Sequence, residues 1–172
     1  MTDEQLVQRY QEGEEGAFDE LVTRHYPDSF KFFFRMVGDR MEADDLCQET
    51  FIRVHRGLKS FRLESNFSTW LYRISINVAN TFFRKRKLRR SLFRWADPDS
   101  FPSQGEGKNT LIPGLWTAIG KLPKKQREVV ILRVFHELAF REVGGVLNMS
   151  ENSAKVNFHH AVRNLRKHLG ES

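Results

Sequence analysis

The segment FSTWLYRISINVANTFFRKRKLRR, Phe67 to Arg90, is the part of the sequence that most restricts the fold. Its apolar side chains recur at steps of three and four residues: Leu71, Ile74, Val78 and Phe82, with Ile76, Ala79 and Phe83 beside them. Because residues three and four apart share one side of a helix, this spacing predicts a helix with one buried face. We expect Ser68 or Thr69 to cap its start.

The opposite side of this predicted helix is polar and carries charge of one sign. Its members, at the same step, are Arg73, Asn77, Asn80, Arg84 and Lys87. Residues 84–94 contain seven Lys or Arg and no acid. A solvated surface is the simplest explanation of a mixed-charge stripe, whereas a stripe of one sign favours contact with the phosphates of a nucleic acid.

Helical spacing continues along most of the chain, and the alternation typical of strands is nearly absent. Thr2 and Gln5 have the spacing of a capping box before a first helix. Further helical patterns run through GAFDELVTRHY, SFKFFFRMV and EADDLCQETFIRVHRGL. The sequence therefore predicts an all-α protein.

The segment ADPDSFPSQGEGKNT, residues 96–110, is rich in Pro, Ser, Gly and Asp and predicts a flexible linker. Helical spacing resumes at residue 111, and Pro123 suits the first turn of a helix. We therefore predict two small helical domains, residues 1–95 and 111–172, joined by the linker.

Charge is distributed unevenly between the parts of the chain. Residues 1–50 contain 5 Lys and Arg against 13 Asp and Glu, whereas residues 51–95 contain 12 against 1. Residues 96–172 contain 11 against 8. This asymmetry predicts two partners, a basic protein surface for the N-terminal part and a nucleic acid for the middle.

Composition also argues against several classes of protein and site. No apolar run approaches the length of a membrane span, and the first residues lack an export signal, so we expect a cytoplasmic protein without membrane insertion. Cys47 has no partner for an internal disulfide and is expected in the core. His159 and His160 are neighbours that point about 100 degrees apart on a helix, and Cys47 is two turns from His55, so we expect no metal and no cofactor.

The stretch FREVGGVLNMSENSAKVNFHHAVRNLRKHL has helix-turn-helix spacing. We expect Ser150 to cap its second helix and Gly144 to let the two helices cross closely. The predicted inner side chains are Val143, Val146 and Leu147 on the first helix and Ala154, Phe158, Ala161 and Leu165 on the second. Donor-rich side chains lie opposite, and they suit base edges and phosphates unless they form only a solvated face: Asn152, Ser153, Lys155, Val156, His159, His160 and Arg163.

Three segments resemble a sigma factor of the sigma-70 family, of the small extracytoplasmic-function (ECF) group. DDLCQETFIRVHRGLKSF is similar to the second half of region two, FSTWLYRISINVANTFFRKRK to its promoter-melting helix, and LPKKQREVVILRVF onward to region four. Their order and separation match the family as well. The resemblance implies binding to core RNA polymerase, through a coiled coil of its largest subunit and through its flap, and to promoter DNA. It also implies an anti-sigma factor as a further partner.

The resemblance assigns the polymerase-binding surface to the helix that contains DDLCQETF. By spacing, Ala43, Leu46, Cys47, Thr50 and Val54 point inward. The side chains expected to point outward form a mixed acidic and apolar patch suited to a basic partner helix: Asp45, Gln48, Glu49 and Ile52. A solvated acidic face is the alternative explanation.

The resemblance also implies how the first domain handles the minus-ten element. In related factors the loop FRLESN receives a base flipped from the non-template strand, which implies a role here for Arg62, Leu63, Glu64, Ser65 and Asn66. We expect Arg73, Asn77 and Asn80 to reach bases or backbone, and Arg84, Lys85, Arg86 and Lys87 to hold phosphates. Phe67, Trp70 and Tyr72 are expected to brace the loop, with Trp70 in the core rather than acting as a wedge.

The C-terminal recognition helix is expected to read the minus-thirty-five duplex, but it departs from the family pattern. Asn152-Ser153-Ala154 stands where Gly-Thr-Val is common, Val143-Gly144 where Ile-Ala is common, and His160 where Arg is frequent. Since Asn152, Ser153 and His160 belong to the expected groove-facing set, a promoter sequence does not transfer from relatives.

Two other functions are compatible with parts of the sequence. A stand-alone helix-turn-helix regulator would need neither the outward acidic patch nor the aromatic loop. A nuclease would need a metal site, but Asp44, Asp45 and Glu49 share one helix without a second carboxylate cluster. We therefore predict a transcription initiation factor that is not an enzyme.

Overall fold

The computed structural model describes residues 1–92 and 114–170, which contain eight α-helices. In chain order these are α1 (Asp3–Gln11), α2 (Gly16–Val37), α3 (Arg40–Leu58), α4 (Phe67–Leu92), α5 (Leu115–Gly120), α6 (Lys124–Val130), α7 (Phe140–Leu147) and α8 (Glu151–His168). A π-helical turn, Ile131–Phe135, continues α6. Within the described ranges there is no strand, which confirms the all-α prediction.

The described residues divide into two compact units. The first contains residues 1–33 and 40–92, and the second contains residues 34–39 and 114–170. The predicted linker, residues 96–110, lies outside the described residues. The domain boundaries at residues 95 and 111 also fall in that gap and stay predictions.

Helix α1 begins with the capping box that its sequence predicts. The Thr2 hydroxyl accepts a hydrogen bond from the Gln5 amide at 3.3 Å, and the Gln5 side chain accepts one from the Thr2 amide at 2.8 Å. The cap satisfies two backbone donors that a helix start leaves unpaired. It thereby defines where α1 begins.

Helix α2 is one helix of 22 residues, although its two apolar patterns flank Pro27. Proline interrupts a helix because it lacks an N–H to bond the carbonyl four residues earlier, here that of Thr23. Both Pro27 and Thr23 are exposed, so water can hydrate that carbonyl. The missing bond therefore does not end the helix.

The core of the first unit draws on all four of its helices. The buried side chains that form this cluster are Leu6, Val7 and Tyr10 of α1, Ala17 and Leu21 of α2, Phe51, Val54 and Leu58 of α3, and Phe67 and Leu71 of α4. The cluster includes the end of α3 and the start of α4. It consequently holds both ends of the loop that joins those helices.

The cap of α4 differs from the prediction of Ser68 or Thr69. Helix α4 begins at Phe67, and the Asn66 side-chain oxygen accepts a hydrogen bond from the Thr69 amide at 2.7 Å. Asparagine is among the best N-cap residues, and Asn66 stands one position before the helix. Ser68 and Thr69 instead lie inside the first turn.

Helices α7 and α8 form the predicted helix-turn-helix. Ser150 caps α8, its hydroxyl accepting a hydrogen bond from the Ser153 amide at 3.0 Å. Asn148 ends α7 in the left-handed conformation, with φ of 55°, which asparagine tolerates better than most residues. The predicted inner residues Val143, Val146, Ala154 and Ala161 are buried, while Leu147, Phe158 and Leu165 are half-buried.

Gly144 allows the backbone of α7 to approach both the turn before α8 and Glu151, the first residue of α8. A Cβ at position 144 would lie 2.6 Å from the Met149 carbonyl oxygen and 3.2 Å from the Ser150 carbonyl carbon. Both neighbours are backbone atoms, which do not move aside as the end of a flexible side chain does. The observed conformation of the turn therefore requires glycine at position 144.

We predict that Gly144→Ala destabilises the second unit by about 2 kcal/mol, because the added methyl group displaces the turn backbone. Gly16→Ala is the matched control, since a Cβ at position 16 meets nothing within 4 Å. Urea unfolding followed by circular dichroism measures both variants. Equal midpoints for the two would show that the turn accommodates a methyl group.

Candidate nucleic-acid interface

Helix α4 presents a polar, basic face to solvent. Arg73, Asn77, Arg84 and Lys87 are exposed and Asn80 is half-buried. On the other side Leu71, Ile76, Val78 and Ala79 are buried, while Ile74, Phe82 and Phe83 are half-buried. The predicted division of the helix into a core side and a basic side is confirmed. Contact of this basic face with DNA stays a prediction.

The basic run at residues 84–87 is uneven in exposure. Arg84, Lys85 and Lys87 are exposed, whereas Arg86 is half-buried, 4.0 Å from the Glu42 carboxylate and 6.0 Å from the centre of the Phe82 ring. A surface pair at that distance contributes little to stability. The run therefore keeps a strong positive potential for a polyanion.

The capture loop, which we define as Arg62–Asn66, is held in an unusual backbone conformation. Leu63 has a φ of 55°, a left-handed value that costs a residue other than glycine roughly 1–2 kcal/mol. Arg62, Glu64 and Asn66 are exposed, and Ser65 is half-buried. Because the Asn66 side-chain oxygen caps α4, a contact between Asn66 and a base would use its amide group.

A surface pocket of about 520 Å³ lies where the capture loop meets the start of α4. Its lining combines aromatic, basic, acidic and hydroxyl groups: Gly57, Ser60, Phe61, Arg62, Glu64, Ser65, Trp70 and Arg73. Such a lining can stack on a flat ring and hydrogen-bond its edge, as pockets for flipped bases do. The predicted residues Arg62, Glu64, Ser65 and Arg73 thus share one pocket, while Asn77 and Asn80 are not among its lining residues.

Trp70 forms part of the wall of this pocket. Its ring stacks on Phe61, with centroids 4.4 Å apart and planes at 13°. A Cβ at Gly57 would lie 3.1 Å from the same ring, so glycine there allows the tryptophan to pack closely against α3. Phe67 is fully buried nearby. Phe67 and Trp70 therefore lie where they can support the loop, although Trp70 is half-buried, packing against the core cluster while also lining the pocket. Tyr72 packs against Phe32 of α2.

The predicted candidates for the pocket omitted Gly57, Ser60 and Phe61. Phe61 begins the quoted segment FRLESN, and its aromatic character was a usable signal. Gly57 offered no local signal, because its role depends on a ring that reaches it from α4. Sequence spacing within α3 does not reveal such a contact.

The outer α3 patch consists of Asp45, Gln48, Glu49 and Ile52. Asp45, Gln48 and Ile52 are exposed and Glu49 is half-buried. All five residues predicted to point inward are buried: Ala43, Leu46, Cys47, Thr50 and Val54. The predicted orientation of α3 is therefore confirmed, while binding of polymerase by the patch stays a prediction.

Hydrogen bonds order part of the outer α3 patch. The Gln48 amide donates to one carboxylate oxygen of Asp44 at 2.8 Å, and the Tyr26 hydroxyl donates to the other. Glu49 pairs with Arg53 at 2.8 Å, one turn further along. Gln48 is consequently positioned by α2 as well as by its own helix.

An apolar groove between α2 and α3 borders the outer α3 patch. It has a volume of about 460 Å³ and is lined by Phe18, Asp19, Val22, Tyr26, Gln48, Phe51, Ile52, His55 and Arg56. Ile52 and Gln48 belong to both surfaces. The part contributed by α2 was not predicted, although Phe18 and Val22 have the i, i+4 spacing that could have indicated it.

Cys47 is buried and chemically quiet. Burial, together with the nearby Asp44 charge, raises the pKa of the Cys47 thiol to about 12. The thiol therefore stays protonated at neutral pH. Only a thiolate acts as a nucleophile or metal ligand, so Cys47 does neither in the folded protein. Among the described residues, no group of three or more His, Cys, Asp or Glu side chains could hold a metal ion.

The recognition face of α8 consists of Asn152, Ser153, Lys155, Val156, His159, His160 and Arg163. All seven residues are exposed. Lys155 lies 3.3 Å from Glu151 in an exposed pair, and the rings of His159 and His160 are 6.0 Å apart at 61°. Val156 is an apolar side chain, 46% exposed, within an otherwise polar face. The face offers hydrogen-bond donors, positive charge and one methyl surface to a partner.

Comparison with known proteins assigns the family. The model for Sigma-70 region 2 matches residues 21–89, and the model for Sigma-70, region 4 matches residues 114–165. ECF RNA polymerase sigma factor SigW of Bacillus subtilis is 30% identical over 95% of this chain and 94% of its own length. The chain belongs to the ECF group of sigma-70 family factors. RNA polymerase sigma-H factor of Pseudomonas aeruginosa is 33% identical over 84% of this sigma factor and 82% of that protein.

Solved structures support the same fold. CnrH, solved in complex with the cytosolic domain of CnrY, has a TM-score of 0.75 and 24% identity, covering 98% of this sigma factor and 97% of that chain. The sigma factor RpoE of Bartonella quintana, solved with the anti-sigma factor NepR, has a TM-score of 0.70 and 20% identity, covering 87% and 94%. At these identities the likeness establishes the fold alone. No helix among the described residues of this sigma factor is long and apolar enough to cross a membrane.

We predict that Cys47 of the native sigma factor resists alkylation at pH 8. With a pKa of about 12, on the order of one thiol in ten thousand is ionised at that pH, against a much larger fraction in the unfolded chain. Iodoacetamide labelling followed by mass spectrometry measures the rate, and the same reaction in urea is the control. Native labelling as fast as that in urea would contradict the protected, protonated thiol.

Proposed function

We propose that this sigma factor binds core RNA polymerase in the cytoplasm, directs it to specific promoters and assists promoter melting, without being an enzyme. The observation that carries the proposal is the match to regions two and four in family order. The described surfaces agree with it, because one unit combines an acidic and apolar patch with a basic face and an aromatic pocket. Transcription from a cognate promoter by purified core polymerase, with and without the protein, tests it directly.

The outer α3 patch is the proposed contact for the coiled coil of the polymerase largest subunit. Its acids, the exposed Asp45 and the half-buried Glu49, suit a basic helix, and Ile52 with the adjoining groove supplies an apolar centre from which a partner would exclude water. Charged rims of this kind increase association rate and specificity, while apolar centres hold the complex together. We propose that the flap of the polymerase binds the C-terminal unit.

The capture loop and its pocket are the proposed binding site for an unpaired base of the non-template strand. Extruding a base from a duplex costs a few kcal/mol, which stacking and edge hydrogen bonds can offset. The pocket contains stacked aromatic rings and the charged groups of Arg62, Glu64 and Arg73. Asn77, Asn80 and the basic run then follow the strand along α4.

The recognition face of α8 is the proposed reader of the minus-thirty-five duplex. A helix-turn-helix places its second helix in the major groove, where exposed donors contact base edges. Ser150 caps the start of that helix, and the helix N-terminus favours a nearby phosphate. A stand-alone regulator would use this unit alone, and the match to region two disfavours that alternative.

An anti-sigma factor is a further proposed partner. The Bartonella quintana RpoE was solved with the anti-sigma factor NepR, and CnrH was solved with the cytosolic domain of CnrY. We propose that a protein of this class covers the polymerase-facing and DNA-facing surfaces of this sigma factor. Purification of the factor from cells with its bound proteins would identify the partner.

We predict that the double change Asp45→Lys and Glu49→Lys weakens binding to core polymerase at least tenfold without altering the fold, because both side chains point away from the core. Glu12→Lys, an exposed charge reversal at the C-cap of α1, is the control. Titration of fluorescent protein with core enzyme measures affinity, and circular dichroism monitors folding. Wild-type affinity in the double variant would remove this patch from the interface.

We predict that recognition and melting separate by mutation. Ala at Lys155, His159 and His160 should weaken minus-thirty-five duplex binding by about 1–3 kcal/mol for each good base contact, yet leave strand capture on a pre-melted template intact. Ala at Asn77 or Asn80 should spare duplex binding and slow opening. Permanganate footprinting beside duplex binding, on native and pre-melted promoters, tests both.

The proposed separation of duplex recognition from melting would be wrong if recognition-face variants also lost strand capture on pre-melted DNA that lacks the upstream element. Normal melting by the Asn77 and Asn80 variants would contradict it as well. Circular dichroism of each variant separates these outcomes from misfolding, which matters most for the half-buried Asn80.

We predict that the basic run binds phosphates without regard to sequence. Changing Arg84, Lys85 and Lys87 to Gln should weaken binding to all promoters alike and reduce the slope of log K against log salt by about 0.7–0.9 per lost contact. Lys31→Gln, exposed on α2, is the control. An unchanged slope in the triple variant would show that the run does not contact the backbone.

A further inference from the structure

Gln11 makes a long-range contact that the family comparison does not assign. As the last residue of α1, it donates from its side-chain amide to the backbone carbonyls of Leu58 and Phe61, each at 2.9 Å. These acceptors are 47 and 50 residues away in sequence. One side chain therefore links the first helix to the backbone directly before the capture loop.

The position of those carbonyls explains what the contact controls. Leu58 is the last residue of α3, where carbonyls lack helical partners, and Phe61 immediately precedes Arg62. The local turn supplies only part of the bonding, with the Phe61 amide donating to Leu58 at 3.3 Å and the Ser60 amide to Gly57 at 3.1 Å. Gln11 adds a donor from outside this segment and so sets the direction in which the chain leaves α3.

Helix α1, which contains Gln11, is fixed to the first unit by its buried side chains. Leu6, Val7 and Tyr10 are buried in the core of the first unit, and the capping box defines the helix start. Residues 3–11 precede residue 21, where the match to region two begins. The helix is therefore an integral part of the unit although it lies outside the matched family segment.

The far end of the capture loop is anchored separately. Asn66 caps α4, and Phe67 is fully buried. Between the two anchors the backbone passes through the left-handed Leu63, while Phe61 stacks on Trp70 at the pocket wall. A loop held at both ends in a strained conformation changes shape when either anchor is released.

We infer that Gln11 is a positioning residue for the pocket that takes the unpaired base: it holds the Phe61 end of the capture loop in the geometry that admits the base. The inference rests on the proposed function, since the base is the ligand proposed there for the pocket. Gln11 does not touch the base. It acts through the backbone that precedes Arg62.

The test compares Gln11→Leu with Gln11→Arg and with Gln8→Leu. Leucine removes the donor, arginine restores donors at a helix C-terminus that also favours a cation, and Gln8→Leu makes the same chemical change at an exposed position on the same helix. Holoenzyme reconstituted from each full-length variant is mixed with a cognate promoter duplex. Permanganate reactivity gives the rate of opening, and hydrogen exchange of residues 58–66 in the free protein reports on the loop.

We expect Gln11→Leu to slow opening about tenfold and to speed exchange at residues 58–66, because small misplacements of a binding group have large effects on rate. Gln11→Arg and Gln8→Leu should behave as wild type in both measurements, and all variants should bind duplex equally. Wild-type opening by Gln11→Leu would overturn the inference, as would slow opening with unchanged exchange. Failure of Gln11→Arg to restore opening would also overturn it.

The behaviour of wild-type holoenzyme shows whether the inference about Gln11 or the proposed function has failed. If it opens the promoter and Gln11→Leu matches Gln8→Leu, only the inference about Gln11 fails. If wild-type holoenzyme does not open the promoter at all, the proposed function fails and the inference fails with it.

Discussion

Burial of Phe67 connects the capture loop to the rest of the first unit. The side chain has no exposed area, it is the first residue of α4, and its ring lies 5.0 Å from His25 and 6.0 Å from Trp70. Removing a buried phenylalanine ring typically costs about 3–5 kcal/mol, more than a single neutral hydrogen bond contributes. The polar anchors at Gln11 and Asn66 therefore depend on a core that α1, α2, α3 and α4 build together.

That core also keeps two surfaces of opposite charge on one small unit. Helix α3 directs acids outward while α4 directs Arg and Lys outward, and an ion pair between the two helices, Glu42 with Arg86, spans 4.0 Å. Because this pairing is weak, the negative charge of α3 and the positive charge of α4 remain largely available to partners in solution. An acidic surface for a protein and a basic surface for DNA are thus compatible with one fold, since each partner neutralises the charge that it meets.

Features that depend on spacing within a helix were predictable from the sequence, and features that depend on distant contacts were not. The Thr2–Gln5 capping box, the Ser150 cap and the inward faces of α3, α4 and α8 follow from local patterns. The placement of Pro27 inside α2 depends on which side of the helix meets water, and the choice of Asn66 over Ser68 depends on where the buried Phe67 fixes the helix start. The Gln11 contacts span 47 and 50 residues, and no local pattern encodes them. At the candidate site the residue types were predictable, whereas the pocket that joins Gly57, Phe61 and Trp70 required the fold.

The proposed reading of promoter DNA depends on the side chains that the recognition face of α8 presents. Histidine stands at position 160, where the sequence resemblance leads one to expect Arg, and it offers two ring nitrogens in place of a five-donor guanidinium. Val156 offers only methyl groups, and the major-groove feature that matches a methyl surface is the C5-methyl group of thymine. In the proposed contact, both side chains influence which base edges are satisfied, and neither is needed for the helix-turn-helix because neither contributes to the buried side of α8. Fold and promoter sequence are therefore separable properties of this chain: the first follows from its core, and the second has to be measured on its own recognition face.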